Sequence, residues 1–342
     1  MYSTTRLVIT SLVTIALLTS GVLTIRANNR QALETPFEQW LESFISEARE
    51  RGYSRSFLES TLGDLKPLQR VIRSDRTQAE LTLDFNRYYQ TRVTPSVIER
   101  GRKLKQQHRK LLDRVAETFG VPPRFILAIW GMESRYGQVQ GKTPVFQALA
   151  TLAWEPRRAK FFRTQLFDAL AIAASSDVET NWMLGSWAGA MGQPQFMPSS
   201  YLQYAVDFDG DGKRNIWNST ADVLASIARY LQEHGWKNGR TWGRAVTVPS
   251  ATQDQLPEIV SQRSQGCSAK RNMTQRLPLN QWHELGVRRL DGNVLPKVTI
   301  DASLVEAESN TFLVYGNYDT LLSYNCAHYY ALSVGLLADQ LN

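Results

Sequence analysis

Phe37, Trp40, Leu41, Phe44 and Ile45 recur at three- and four-residue intervals. That spacing gathers apolar side chains on one face of a helix, and Gly52 ends the pattern. A second helix is predicted over Asp75 to Tyr89, on Leu81, Phe85 and Tyr88. Pro95 interrupts the chain, and one long basic helix is expected from Val97 to Phe119. Gly120-Val121-Pro122-Pro123 then makes a turn, with proline well placed to start a helix. The helix that follows, Arg124 to Glu133, is apolar through Phe125-Ile126-Leu127-Ala128-Ile129-Trp130-Gly131-Met132. A helix apolar on every side is buried. Further helices fit 145–153, 158–174, 198–205, 219–234 and 326–341.

Between about 246 and 316 the pattern shortens. Runs rich in β-branched and aromatic residues, Lys297 to Ile300 and Thr311 to Tyr315, alternate with Gly, Pro, Asn and Asp turns, which reads as strands. The expected fold is mainly α with a small β part (α+β). A helical body covers 30–245, a strand-containing lobe 246–316, and a final segment, 317–342, packs back on the body.

The first 29 residues stand apart. Leu7 to Ile25 carries no charge and lies between Arg6 and Arg26. A charged start and an apolar stretch make an export signal, and about twenty apolar residues also suffice for a membrane anchor. Either reading puts the rest of the chain outside the cytoplasm, in the periplasm. No Cys follows the apolar run, which excludes a lipid-modified N-terminal Cys. In an oxidising compartment Cys267 and Cys326 are expected to pair; the alternative is two free buried thiols.

Composition narrows the chemistry. Two Cys and four His are too few for a four-sulfur zinc site or an ordinary catalytic metal centre. The net charge of +7 comes largely from before residue 120, where Arg100-Gly101-Arg102-Lys103-Leu104-Lys105 continues to Arg109-Lys110. That stretch is a solvated helix face or an attraction for a polyanion. Export, and the lack of a nucleic-acid motif, argue against nucleic acid as the partner.

Glu133 is the candidate catalytic residue. Apolar neighbours and the negative end of the helix dipole both disfavour its carboxylate. A carboxyl kept protonated can protonate the leaving oxygen of a glycosidic bond. Its bland alternative is a helix-end Glu paired with Arg135. A glycosidase normally has a second carboxylate, and only Glu155 and Asp168 offer themselves, by chain proximity alone.

The run Asp207-Phe208-Asp209-Gly210-Asp211-Gly212-Lys213 matches the opening of an EF-hand calcium loop, with Gly at the sharp turn. Lys213 would give its carbonyl. The twelfth position is Asn218 rather than Glu, and Asp222 is the candidate for the missing carboxylate. The stretch from Gly185 to Ser200 is dense in glycine, Ser and Gln, groups that suit sugar hydroxyls and acetamides.

These segments together resemble the lytic murein transglycosylase B family, glycoside hydrolase family 103, from about Phe37 to the C-terminus. The resemblance is carried by Ile72-Arg73-Ser74-Asp75-Arg76-Thr77-Gln78-Ala79-Glu80, Gly120-Val121-Pro122-Pro123 and Ala128-Ile129-Trp130-Gly131-Met132-Glu133-Ser134-Arg135-Tyr136-Gly137. It continues in Gly189-Ala190-Met191-Gly192, Gln195-Phe196-Met197-Pro198-Ser199, the Asp207 loop, Tyr324-Asn325 and Tyr330-Ala331-Leu332. Gln193-Pro194 departs from the family's usual small or aromatic pair.

The resemblance implies a lysozyme-like helical fold and cleavage of peptidoglycan glycan strands to 1,6-anhydromuramic acid ends; the alternatives are a muramidase that uses water and a peptidoglycan-binding protein without turnover. It implies Glu133 as catalyst and Ser186, Gln195, Tyr230, Asn325 and Tyr330 as sugar contacts. Arg157 and Arg158 would stand near the muropeptide. A structural calcium would be held by Asp207, Asp209, Asp211, the Lys213 carbonyl and Asp222. No cofactor is expected for catalysis, and a monomer is expected.

Overall fold

The computed structural model describes residues 35–77, 83–175, 178 and 180–342. The apolar run at 7–25 and Leu81 lie outside them. Most predicted helices are present, among them Phe37–Glu50, Pro123–Ser134, Val145–Trp154, Ala159–Ala174, Thr220–Glu233 and His328–Gln340.

Three expectations need correction. The helix expected over Asp75 to Tyr89 is two helices, Gln69–Thr77 and Phe85–Arg92. Asp84 is extended, and its side chain accepts the Arg87 N–H. An N-cap of that kind starts a new helix rather than continuing one. The long basic helix is likewise two, Pro95–Gln107 and Arg109–Phe119. The break falls at His108 (φ −103°, ψ 20°), whose ring stands edge-on to Trp130 at 6.4 Å. Lys297 to Ile300 is not a strand; the strand begins just after it, at Asp301.

Two short strands, β1 (Thr143–Pro144) and β2 (Leu184–Gly185), pair antiparallel. The larger sheet contains β3 (Gly243–Thr247), β4 (Leu277–Pro278), β5 (Arg288–Arg289), β6 (Asp301–Ala307) and β7 (Asn310–Val314). Their spatial order is β4-β6-β7-β3-β5, antiparallel throughout. The lobe therefore takes its first strand from before residue 246, and it also holds the Ser250–Ile259 and Leu279–Glu284 helices.

Alternation along the two central strands explains how the sheet is seated. Successive side chains of a strand point to opposite faces. Val305, Ala307, Phe312 and Val314 join the core around the Pro123–Ser134 helix. Leu304 and Leu313 face the other way, onto a smaller core with Trp282 and Tyr315. Register keeps the two sets apart, since Val305 pairs with Phe312 and Leu304 with Leu313. The sheet is thus buried on both faces, and its inner face meets the His328–Gln340 helix, which packs in turn on the central helix.

The Cys267–Cys326 disulfide is formed. It ties the lobe to the turn between the Gly316–Tyr324 and His328–Gln340 helices.

Candidate active site

The central helix stops one residue after Glu133 because the backbone turns left-handed. Arg135 (φ 49°), Tyr136 (φ 60°) and Gly137 (φ 80°) are consecutive residues in that region. For the first two this costs roughly 1 kcal/mol or more each, so the turn must be held. Tyr136 holds it: the phenol is buried and donates to the Val97 carbonyl at 3.0 Å. Its ring fills a slot left by two glycines. A Cβ on Gly101 would lie 2.3 Å from the Tyr136 hydroxyl oxygen, and one on Gly131 would lie 2.8 Å from it. Ser134 adds a bond from the Gly137 N–H to its Oγ, 3.0 Å. Glu133 is thereby presented, half-buried, at a rigid helix end.

The Tyr330 hydroxyl donates to Glu133 Oε1 at 2.5 Å. Tyr330 is 4 % exposed. Burial first, and then the charge of Glu133, push its hydroxyl well above the usual phenol range. It therefore stays a donor. Tyr324 is raised by the same two causes in the same order, and its hydroxyl donates to the Pro194 carbonyl at 2.7 Å. The rings of Tyr324 and Tyr330 are near-parallel, 6.4 Å apart.

The cluster extends from Tyr324. Tyr230 packs against it at 4.6 Å, stacks on His234 at 4.1 Å, and donates to the Ser323 carbonyl at 2.6 Å. Asn325 follows Tyr324 at the helix end and is exposed. Gln195, at φ 52°, donates to the carbonyls of Gly192 (2.7 Å) and Gln140 (3.1 Å). Gln140 in turn donates to Gly137, beside the Glu133 turn. Ser186 Oγ accepts the N–H groups of Ala188 (3.2 Å) and Ala190 (3.1 Å). A hydroxyl whose oxygen is occupied in this way still has its proton to donate.

Arg157 and Arg158 stand elsewhere, on the Pro156–Arg158 turn, beside a groove of about 550 Å³ that Lys160 and Phe161 also line. Both are held by Asp75, which is 1 % exposed. Arg157 Nε donates to Asp75 Oδ2 at 2.6 Å, and Arg158 bonds the other oxygen. Burial alone would raise Asp75. The hydrogen bonds and charges of Arg157 and Arg158 outweigh it and hold the carboxyl below its usual range. The two candidates for a second catalytic carboxylate stand on other elements than Glu133. Glu155 takes the Arg157 N–H and the Arg76 guanidinium, and Asp168 lies on the Ala159–Ala174 helix, where burial raises its carboxyl above the usual range.

Asp207, Asp209 and Asp211 offer oxygens within 4.8 Å of one another. Gly210, at the sharp turn, has φ 79°. A set of hard carboxylate oxygens at this spacing fits calcium. Asp222 stands outside the group. It is fully buried, and its two oxygens accept the N–H groups of Phe208 and Asn215, each at 2.8 Å. It clamps the two ends of the loop together.

The sequence pattern for the transglycosylase SLT domain matches residues 36–339. The chain belongs to that family. It is 32 % identical over 319 residues to the membrane-bound lytic murein transglycosylase B of Escherichia coli K12, covering 90 % of this chain and 81 % of that one. The structure of Pseudomonas aeruginosa SltB3 in complex with NAG-anhNAM-pentapeptide superposes with a TM-score of 0.81 at 37 % identity, covering 90 % of this chain and 80 % of SltB3. E. coli Slt35 in complex with calcium superposes with a TM-score of 0.72 at 30 % identity, covering 90 % and 92 %. The fold is accordingly lysozyme-like, mainly helical with a small sheet. No helix among the described residues is long and apolar enough to cross a membrane.

Sequence reasoning left two site residues without a role. Tyr324 was visible only as the neighbour of Asn325. Gln193 was visible only as a departure from the family pattern.

Proposed function

We propose that this protein is a lytic transglycosylase. It cuts the β-1,4 bond between N-acetylmuramic acid and N-acetylglucosamine in peptidoglycan and leaves 1,6-anhydromuramic acid ends. The observation that carries this reading is the Glu133–Tyr330 pair at the end of a rigid buried helix. The reading is supported by the relatives named for this activity and by the anhydro-sugar fragment bound to SltB3.

Glu133, protonated, gives its proton to the glycosidic oxygen, and the C1–O bond breaks with the electron pair leaving on that oxygen. The muramyl acetamide supports the positive C1 in place of a second carboxylate. Glu133, now ionised, takes the proton of the C6 hydroxyl as that oxygen bonds C1. No water is consumed. Tyr330 donates to the carboxylate form and keeps it aimed. Ser186 directs its free proton toward the acetamide carbonyl. Gln195, Tyr230 and Asn325 line the sugar path, and the Arg157–Arg158 edge takes the anionic muropeptide.

Calcium at Asp207, Asp209, Asp211 and the Lys213 carbonyl would order the loop without entering the chemistry. Asp222 serves that loop through its backbone clamp. We read residues 7–25 as a signal or membrane anchor and the site of action as the periplasm. The helical body, the lobe that begins with β3 at Gly243 and the 317–342 segment would form one catalytic unit, acting as a monomer. Glu133→Gln should abolish turnover of purified sacculi with folding intact; retained turnover refutes the assignment.

A further inference from the structure

Gln193 is 7 % exposed. An amide buried to that degree needs its donor and acceptor groups met. Its side-chain oxygen accepts from Trp130 Nε1 at 2.7 Å. Its Nε2 donates to the Trp217 carbonyl at 2.7 Å, and its backbone N–H donates to the Ile216 carbonyl at 2.9 Å. One residue therefore joins two distant segments. Trp130 lies on the Glu133 helix, three residues earlier. Ile216 and Trp217 are the exit of the Asp-rich loop.

Both junctions are tight. A Cβ on Gly192 would lie 2.6 Å from the Ile216 carbonyl oxygen, so the loop exit rests directly on the backbone beside Gln193. A Cβ on Gly137 would lie 2.4 Å from the Gln193 side-chain oxygen, so the amide also abuts the turn that follows Glu133. On the loop side, Asp222 binds the Asn215 N–H, immediately before Ile216. A continuous hydrogen-bonded route thus runs from the carboxylate loop through Asn215 to Trp217, then Gln193, then Trp130.

We propose that Gln193 is a positioning residue, which carries the order imposed on the 207–218 loop by a divalent cation to the helix end that presents Glu133. The inference rests on the transglycosylase reading for what Glu133 does there. Gln193 itself touches no reacting atom. Gln193→Leu leaves the Trp130 N–H and the Trp217 carbonyl unpaired. Gln193→Met keeps the length of the side chain but offers neither an oxygen acceptor to Trp130 nor a donor to Trp217, while the backbone N–H bond to Ile216 stays.

The test is hydrogen–deuterium exchange on the full protein, with calcium and with chelator, in wild type and in both variants. The same preparations are assayed for kcat and KM on purified sacculi, well below their unfolding temperatures. In wild type, calcium should slow exchange at 207–218 and also at 128–137. In either variant it should slow exchange at 207–218 alone, and kcat should fall on the order of ten- to a hundredfold with KM unchanged, as expected when a catalytic group is displaced by an ångström or less. The proposal is overturned if calcium protects 128–137 equally in the variants. It is also overturned if calcium leaves 207–218 unprotected in wild type. Either variant alone suffices should the other fail to fold. Neither overturning result touches the transglycosylase reading, which is judged by the wild-type product.

Discussion

Tyr330→Phe removes one oxygen atom and nothing else from the site. The ring keeps its buried position and its near-parallel neighbour Tyr324. What is lost is the 2.5 Å bond to Glu133 Oε1. A hydrogen bond to a charged group contributes about 1.5–3 kcal/mol. If all of it serves to aim the carboxylate, kcat falls by roughly ten- to a hundredfold, at about 1.36 kcal/mol per decade. Because burial and Glu133 hold the Tyr330 hydroxyl well above the usual phenol range, it remains protonated wherever the enzyme works. The assay is initial release of soluble fragments from purified sacculi, with thermal unfolding as the folding control. A variant with wild-type kcat and an unchanged unfolding temperature would refute the role given to this bond.

Asp75→Asn should destabilise the protein at neutral pH. Arg157 and Arg158 keep 44 % and 36 % of their side-chain surface, so water replaces part of what they lose. The cost is then about 2 kcal/mol, rather than the roughly 3–5 kcal/mol of breaking a fully buried pair. Since the folded-state pKa of Asp75 is depressed, its contribution is present above the ordinary Asp value near 4 and is lost as pH falls through the folded value. Urea midpoints measured from pH 7 down to 3 should therefore converge for wild type and variant; parallel curves would contradict this. Reduction of Cys267–Cys326, which are 59 residues apart, should cost about 4 kcal/mol on the chain-entropy account. A urea midpoint unmoved by reductant would contradict it. Tyr318, Tyr324 and Tyr330 are all raised well above 10, by burial first. Their stabilisation is complete below the ordinary phenol value near 10 and is lost as pH rises beyond it. Tyrosinate absorbance should show these three titrating only with unfolding, and reversible titration near pH 10 in the folded protein would exclude that.

Local signals made most of the helices legible. Pro122-Pro123 and an eight-residue apolar run defined the central helix to within a residue at each end. Where the pattern failed, a side chain with a local backbone bond or a distant partner decided the outcome. Asp84 capped a new helix where apolar spacing alone suggested continuity. His108 broke the basic helix beside Trp130, a contact between residues 22 apart that no periodicity reveals. At the site, Glu133 could be singled out because burial and a helix end are local properties. The partner that holds it, Tyr330, lies 197 residues away, and only the family resemblance brought it into the reading. Asp222 was legible as a carboxylate near the loop. That both its oxygens clamp backbone N–H groups depends on the folded path of Phe208 and Asn215. Gln193 illustrates the same limit, since its partners come from two segments that meet only in the fold.

The central claim is that a single carboxyl, Glu133, both gives and takes the proton, and that the muramyl C6 hydroxyl replaces water as nucleophile. Mass spectrometry of wild-type digests of purified sacculi tests this most directly. The account predicts muropeptides one water lighter than hydrolysis products, carrying 1,6-anhydromuramic acid ends, and none from Glu133→Gln. Products with free reducing muramic acid ends, or anhydro products from the Glu133→Gln protein, would contradict it.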